Sequence, residues 1–305
     1  MSVRDAGRRL ADALAGEVRF DEPMARHTTY RIGGPADLFI TCDTVTDLAE
    51  AVRVLGDEQI ESTVIGRGSN LLVSDAGYRG AIIVLGREFK AHSVVGTRVT
   101  CGAGCILAYV VRDAFSRGLA GMEFAVGIPG TVGGAIAMNA GTRGAWMGSV
   151  VESVTLHVPG VGLRRLAGAD IPWEYRTSGL TAAGIIVEAV VRLEEADADR
   201  IRAEMERSLQ RRKASQPLGI PSAGSVFKNP RGESAGRLIE AAGLKGTRLG
   251  GAQVSQVHAN FIVNEGGATA ADVVGLVRKV QMAVRDTHGI ELEPEIRLLG
   301  TFDGA

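Results

Sequence analysis

Apolar residues recur along this chain at two spacings, and the switches between them mark its elements. Residues 3–14 carry theirs at helical spacing and predict a short amphipathic helix. Ala36–Cys42 reads as a strand, Thr46 as the cap of a helix to about Gln59, and strands are expected near 62–66 and 81–85, so the chain opens as a small α/β unit. Arg98–Gly102 predicts another strand and Ile106–Arg117 a helix. From Ser149 the positions Val150, Glu152, Val154, Leu156 and Val158 alternate up to a Pro159-Gly160 turn, which announces a hairpin, and Ile185–Leu193 adds a strand to a part richer in β. Asp197 caps a charged helix to about Lys213, and the following loop, 215–225, holds too much Pro and Gly to be regular. A domain boundary is placed near 197–201. Beyond it the pattern gives a helix at 235–242, a strand at 259–263, a long helix at 270–287 opened by Thr269 and closed by Gly289, and a last strand at 290–299.

That last strand puts Glu291, Glu293, Glu295 and Arg297 on one face and Leu292, Ile296 and Leu298 on the other. The apolar face is packed. The charged face is either a solvated one whose charges pair among themselves or the lining of a cleft.

Glycine breaks both periods in two places. The run Gly127–Gly141 is apolar, and no charge occurs from Val126 to Thr142. Backbone without Cβ reaches unusual dihedrals and lets a ligand approach its amides, so the run reads as a wall for a large cofactor or as turns in a compact core. The second run, Gly66-Arg67-Gly68-Ser69-Asn70, follows a short β-branched strand directly. Consecutive amides in such a loop make a concave anion site, with the Ser69 hydroxyl and Asn70 amide as further donors, and a diphosphate fits there. Leu71 and Leu107 stand where the dinucleotide fingerprint needs a third glycine, and no Gly-Lys-Ser/Thr occurs, so neither the Rossmann nor the ATPase phosphate loop is present.

Composition narrows the partners. In 305 residues, 34 basic and 35 acidic side chains leave a net charge of −1. No global field draws such a chain to nucleic acid or an anionic membrane, and an anionic ligand must be held by local Arg and Lys. The first residues lack the apolar core of a secretory signal, and no apolar stretch is long enough to span a bilayer, which places the protein in the cytoplasm. Cys42, Cys101 and Cys105 lack redox or zinc spacing and read as small core residues, while five scattered histidines show no ligand pair, so no metal is expected.

Four polar sites carry candidate chemistry. Ser225, after Ala223-Gly224 and before Lys228-Asn229-Pro230, is a proton donor on a constrained loop or a turn serine. Arg176, after Trp173 and Tyr175, is a carboxylate-gripping fork or a surface arginine. Arg211, Arg212 and Lys213 meet an anionic ligand or only the dipole of their own helix. Gly232-Glu-Ser234-Ala-Gly236 matches the nucleophile elbow of α/β-hydrolases, but Lys228-Asn229-Pro230-Arg231 stands where that elbow needs a buried strand, and Ser234 is better explained as a helix N-cap.

Taken together, these motifs closely resemble the UDP-N-acetylenolpyruvoylglucosamine reductase family over nearly the whole length. The resemblance is carried by Thr28–Gly34, Gly66–Leu72, the Gly127–Gly141 run, Tyr175-Arg176, Ala223–Pro230, Gly251–Ser255, His258–Asn264 and Glu293–Arg297. It implies an α+β fold: a two-subdomain FAD-binding region of the PCMH, vanillyl-alcohol-oxidase-like kind at 1–86 and 87–197, then a separate α/β substrate-binding domain at 198–305. Non-covalent FAD, NADPH as hydride donor, a UDP-N-acetylglucosamine enolpyruvate substrate and a monomeric enzyme come with it. So does an oxidoreductase reaction at a C=C bond with NADP as acceptor, in peptidoglycan precursor synthesis.

The same resemblance implies site residues. Gly66, Arg67, Gly68, Ser69, Asn70 and Leu71 hold the FAD diphosphate. Gly127, Pro129, Gly130, Thr131, Gly133 and Gly134, with Ala135, Asn139 and Gly141, run along the flavin, and Tyr30 also belongs to the cofactor site. Ser225, Arg176 and Glu295 are catalytic and converge on the substrate. Lys213, Lys228, Asn229, Gln253 and Arg297 surround the nucleotide sugar. The chain is similar to the shorter of two family types, which lacks an inserted loop whose tyrosine closes over the substrate. The alternatives are another FAD oxidoreductase of the same cofactor-domain superfamily, a colourless nucleotide-sugar binder, or the Ser234 hydrolase.

Overall fold

Strands Val18–Pro23, Pro35–Cys42, Tyr78–Leu85 and Ser62–Ile65 hydrogen-bond side by side in that order. The computed structural model describes residues 2–142 and 144–302. Leu38, Ile40 and Cys42, two apart on one strand, and Ala81, Ile83 and Leu85 on the next, face a common core. Two helices cover them: α1 (Val3–Ala13) brings Ala6 and Leu10, and α2 (Val45–Asp57) brings Leu48, Ala51 and Leu55, spaced three and four apart. The cap of α2 is Thr44 and not the expected Thr46. Asp47 is the reason: its amide donates to Thr44 Oγ1 at 3.0 Å while its carboxylate accepts the Thr44 amide, and that box closes only from three residues upstream.

A five-stranded antiparallel sheet follows, ordered Gly162–Ala167, Val151–Val158, Ile185–Arg192, Arg98–Gly102, His92–Val95. The hairpin stands where the alternation puts it. Helix α3 (Leu107–Ser116) and a six-residue helix α4 (Val132–Ala137), which lies inside the glycine run, pack their apolar sides into the same core. Cys42, Cys101 and Cys105 are buried there, and burial pushes the Cys42 and Cys101 thiols up to about 12, the behaviour of core residues. A long charged helix, α5 (Ala198–Ser215), has its first-turn Arg200 amide held by Asp197 Oδ1, the expected cap.

The chain gathers into two compact units that do not follow sequence order. One takes the residues up to Phe20, Asp37–Gly66 and Gly80–Arg211; the other takes Asp21–Ala36, Arg67–Arg79 and the chain from Arg212 onward. Each has its own core. The second unit holds a three-stranded sheet, Arg248–Leu249, Ala252–Val254 and Ile262–Asn264, against α6 (Ala235–Ala241) and α7 (Ala270–His288). Its core joins Tyr30, Ile32 and Leu72 to Phe227, Ile239, Val273, Leu276, Leu292 and Ile296.

Polar bonds bind the two early segments into that unit. Leu71–Val73 pairs in parallel with Arg297–Leu299. Asp75 accepts the Ala270 and Ala271 amides at 2.8 and 3.0 Å, adding an acid to the N-terminus of α7 that Thr269 already caps. Thr29 Oγ1 donates to the Ser222 carbonyl, and Asn264 Nδ2 to the Tyr30 carbonyl. Helix α7 starts after Thr269 and stops at Gly289, whose φ of +68° closes it as expected.

Two expected strands are shorter than the pattern suggests. The one placed at 259–263 begins only at Ile262, because Asn260 is spent on another segment. The last one, placed at 290–299, is regular only over Arg297–Leu299. Pro294 has no N–H for a ladder, so at Pro294 itself an isolated bridge to Phe227 stands in place of regular pairing, and Leu298 is exposed instead of packed beside Leu292 and Ile296. No helix among the described residues is long and apolar enough to cross a membrane.

Candidate active site

In the second unit Ser225 and Glu295 are brought together through their backbones. The residues after Ser225 form an irregular antiparallel ladder with the residues around Glu295: the Glu295 amide donates to the Val226 carbonyl at 2.7 Å, and the Lys228 amide to the Glu293 carbonyl at 2.9 Å. Gly224, with φ +77°, supplies the turn into this ladder, a conformation that strains any residue with a Cβ. Ser225 and Glu295 are both half-buried, and among the described residues no group hydrogen-bonds the Ser225 hydroxyl. Asn70 braces the same strand: its Nδ2 donates to the Glu295 carbonyl at 3.1 Å, and its own carbonyl accepts the Arg297 amide at 3.0 Å.

The expected nucleotide-sugar residues have mixed surroundings. Lys228 Nζ lies 2.5 Å from Glu293 Oε1, so that cation already has a carboxylate partner. Asn229 Oδ1 accepts the Ala235 amide at 2.9 Å and helps to start α6. Buried Gln253 donates to the Gly246 carbonyl at 3.1 Å. Lys213 is exposed in the last turn of α5, and Arg297 is exposed on its short strand. Ser234 caps α6, with the Arg237 amide 3.5 Å from its Oγ, and no strand leads into it, so the hydrolase elbow has no structural counterpart.

The loop after Gly66 keeps its glycine for a steric reason. Gly68 has φ +60°, and a Cβ there would strike the His27 carbonyl. The amides of Arg67 and Gly68 have no acceptor among the described residues, which suits an anion. Tyr30 is completely buried, and its hydroxyl has no partner among them; burial also raises its pKa, keeping it a donor.

In the first unit, the glycine run builds a corner. Gly127 and Gly130 have φ of +72° and +127°, Thr131 Oγ1 caps α4 by accepting the Gly134 amide, and Gly133 fits only because it has no Cβ, which would come within 2.8 Å of Ala103 Cβ. Gly66 is constrained by the same corner, since its Cβ would lie 2.5 Å from Thr131 Oγ1. Ala135 is buried, whereas Pro129 and Gly134 are exposed, and the space above Gly134 meets nothing closer than 3.4 Å. Gly141 pairs with Trp146 and Thr142 with Ala145 in a short antiparallel ladder.

Beyond α4, Asn139 sits at φ +42° with both ends of its amide engaged: Nδ2 donates to the Glu174 carbonyl and Oδ1 accepts the Gly148 amide, each at 3.0 Å. The Ser178 amide donates to the Ala137 carbonyl. These bonds pin the turn Glu174–Thr177, in which Arg176 holds φ +65° with its guanidinium carbon 5.2 Å from the Tyr175 ring centre. A left-handed arginine costs about 1–2 kcal/mol and persists because its flanks are fixed. Asn139, expected to face the cofactor, has its side-chain amide committed to this corner. In the sequence His258, Asn260 and Asn264 stand out only as parts of the motif His258–Asn264, and nothing there marks their backbone-holding roles or that of Asp75.

Residues 216–299 match the family described as UDP-N-acetylenolpyruvoylglucosamine reductase, C-terminal domain, and residues 36–159 the family described as FAD binding domain. The UDP-N-acetylenolpyruvoylglucosamine reductase of Pelobacter propionicus is 47% identical over 287 residues, 94% of this chain and 97% of that relative. This chain belongs to the UDP-N-acetylenolpyruvoylglucosamine reductase family. The reductase of Heliobacterium modesticaldum is likewise 47% identical, over 95% of this chain and 93% of that relative. A crystal structure of the reductase from Thermus caldophilus superposes with a TM-score of 0.83 at 37% identity, covering 93% of this chain and 99% of that one. As a member of this reductase family the chain is an oxidoreductase and a flavoprotein of peptidoglycan synthesis, with FAD as its cofactor. Within the second unit the residues present fit FAD: an orphaned, fully buried Tyr30 hydroxyl and two amides without acceptors among the described residues at Arg67 and Gly68.

Proposed function

We propose that this chain catalyses the NADPH-dependent reduction of the enolpyruvyl group of UDP-N-acetylglucosamine enolpyruvate to give UDP-N-acetylmuramate. The observation that carries the reading is the Ser225–Glu295 ladder, with its half-buried hydroxyl bonded to no group among the described residues. Bound FAD supplies hydride transfer, accepting from NADPH and giving to the terminal carbon of the substrate double bond. The protein's residues do the rest. Negative charge gathers on the α-carbon and its carboxylate; Arg176 stabilises that charge, and Glu295 does so best when it bears or shares a proton, because a bare carboxylate would repel it. Ser225 delivers a proton to the α-carbon.

Lys213, Lys228, Asn229, Gln253 and Arg297 hold the nucleotide sugar in this proposal, with Lys228 exchanging Glu293 for the diphosphate. Gly66–Leu71 takes the FAD diphosphate, Gly127–Gly141 runs along the flavin, and Tyr30 donates its hydroxyl to the cofactor. In functional terms 1–86 and 87–197 serve FAD and 198–305 the substrate, in a monomeric cytoplasmic enzyme.

Stopped-flow spectroscopy of Ser225→Ala tests the reading. Flavin reduction by NADPH should keep its wild-type rate, and reoxidation by the enolpyruvyl substrate should slow on the order of a hundredfold or more. Ser234→Ala should change neither rate. Normal reoxidation in Ser225→Ala would remove Ser225 from the reaction.

A further inference from the structure

The strip that carries Ser225 is held from behind by one side chain. Asn260 is 3% exposed. Its Oδ1 accepts the Phe227 amide at 2.9 Å, its Nδ2 donates to the Phe227 carbonyl at 2.8 Å, and its backbone carbonyl accepts the Val226 amide at 2.8 Å. One residue thus satisfies three polar groups of the two residues following Ser225, in the manner of a missing strand. The other side of the strip is the ladder to Glu295, whose amide takes the Val226 carbonyl. The strip is therefore hydrogen-bonded to Asn260 through Val226 and Phe227 on one side and to the Glu295 strand through Val226 and Lys228 on the other, with Ser225 at its end.

We infer that Asn260 is the positioning residue for proton delivery: its side-chain amide sets where the Ser225 hydroxyl stands, without itself meeting substrate or cofactor. This rests on Ser225 and Glu295 acting as proposed above. Only an amide suits the place, because Phe227 presents one donor and one acceptor side by side, and a hydrocarbon or carboxylate of similar size answers at most one of them. His258 supports the arrangement from two positions before Asn260. Its Nδ1 accepts the Asn260 amide at 3.1 Å, and burial, with Lys245 nearby, lowers its pKa, favouring the neutral ring that can accept. Fixing a reacting group in this way matters because a displacement of about 1 Å costs on the order of a hundredfold in rate.

The test uses the FAD-loaded full chain and two variants. Asn260→Ala removes both side-chain bonds, and Asn260→Asp keeps the size and the acceptor but loses the donor. Both should keep their flavin content, their rate of reduction by NADPH and the substrate KM, while reoxidation by the enolpyruvyl substrate slows about ten- to a hundredfold. In the background of Ser225→Ala, adding Asn260→Ala should slow reoxidation no further, because the group it positions is already gone. Several results overturn the proposal: wild-type reoxidation in both variants, a multiplied loss in the double variant, or loss of folded, flavin-bearing protein in both, which would make Asn260 a stability residue. A Ser225→Ala enzyme that reoxidises normally would instead sink the reaction assignment, so the two failures are distinct.

Discussion

Two buried asparagines do the same chemical work in the two units, and they do it differently. Asn139 spans two separate segments, giving its Nδ2 to Glu174 and its Oδ1 to Gly148, and it stands in left-handed backbone at the end of a six-residue helix. Asn260 spends both ends on one residue, Phe227, inside a sheet-like strip. The first holds a corner of the fold together; the second adjusts a short strip whose own apolar residues, Val226 and Phe227, are already anchored in a core. Losing the corner should cost mainly stability, and losing the strip mainly rate.

Substituting Asn139 by Ala gives the largest stability effect expected from this contrast. It leaves the part-buried Glu174 carbonyl and Gly148 amide without their partner and puts alanine, which tolerates left-handed backbone less well than asparagine, at φ +42°. A loss of about 2–4 kcal/mol should appear in urea unfolding. Asn260→Ala should lose less than that. Equal losses at both sites would end the distinction between corner and strip.

The strain at Arg176 sharpens the comparison at smaller scale. Arg176→Gly and Arg176→Ala both remove the guanidinium and should both lose substrate-driven flavin reoxidation. The Gly variant should nevertheless be more stable than the Ala variant by about 1 kcal/mol, because Ala keeps the left-handed strain and Gly does not. If the two unfold at the same denaturant concentration, the corner does not hold Arg176 against its preference.

The smallest effect is a pH slope. His258 titrates below its ordinary 6.5 in the folded chain because of burial and the neighbouring Lys245. A depressed folded pKa means that the unfolded chain takes up the proton first. Stability from this group is therefore complete above about 6.5 and declines as the pH falls from there toward the folded value. His258→Asn, whose amide oxygen can replace Nδ1 as acceptor, should flatten that part of the stability curve in thermal unfolding measured across pH. An unchanged slope would show that His258 does not accept the Asn260 amide as a neutral ring.

Much of this was legible in the residues. Helix α7 declared itself by Thr269 and Gly289, the hairpin by strict alternation ending in Pro159-Gly160, and α5 by Asp197, because each signal is carried by consecutive side chains acting on their own backbone. The two glycine runs were readable for the same reason: the absence of Cβ is a local property, and Gly68 and Gly130 use it with positive φ. Ser225 and Arg176 could be named as candidates with their alternatives open. The motifs around them, including His258–Asn264, carried the family.

What the chain determined by itself, then, was every feature that a residue imposes on its near neighbours: periods, caps, turns and the chemistry available at each position. Tertiary structure decided the features whose partners lie far along the chain. Residues 21–36 and 67–79 joined the unit built from Arg212 onward because Tyr30, Ile32 and Leu72 found their apolar partners there and Asp75 found the amides of α7. Asn260 became a clamp only when Phe227, 33 positions earlier, came within hydrogen-bond reach, and Asn139 a brace only when Glu174, 35 positions on, did. An asparagine amide carries the same two donors and one acceptor wherever it stands. Which backbone groups it serves is set by the cores that bring distant segments together, since burial leaves those groups no water to turn to.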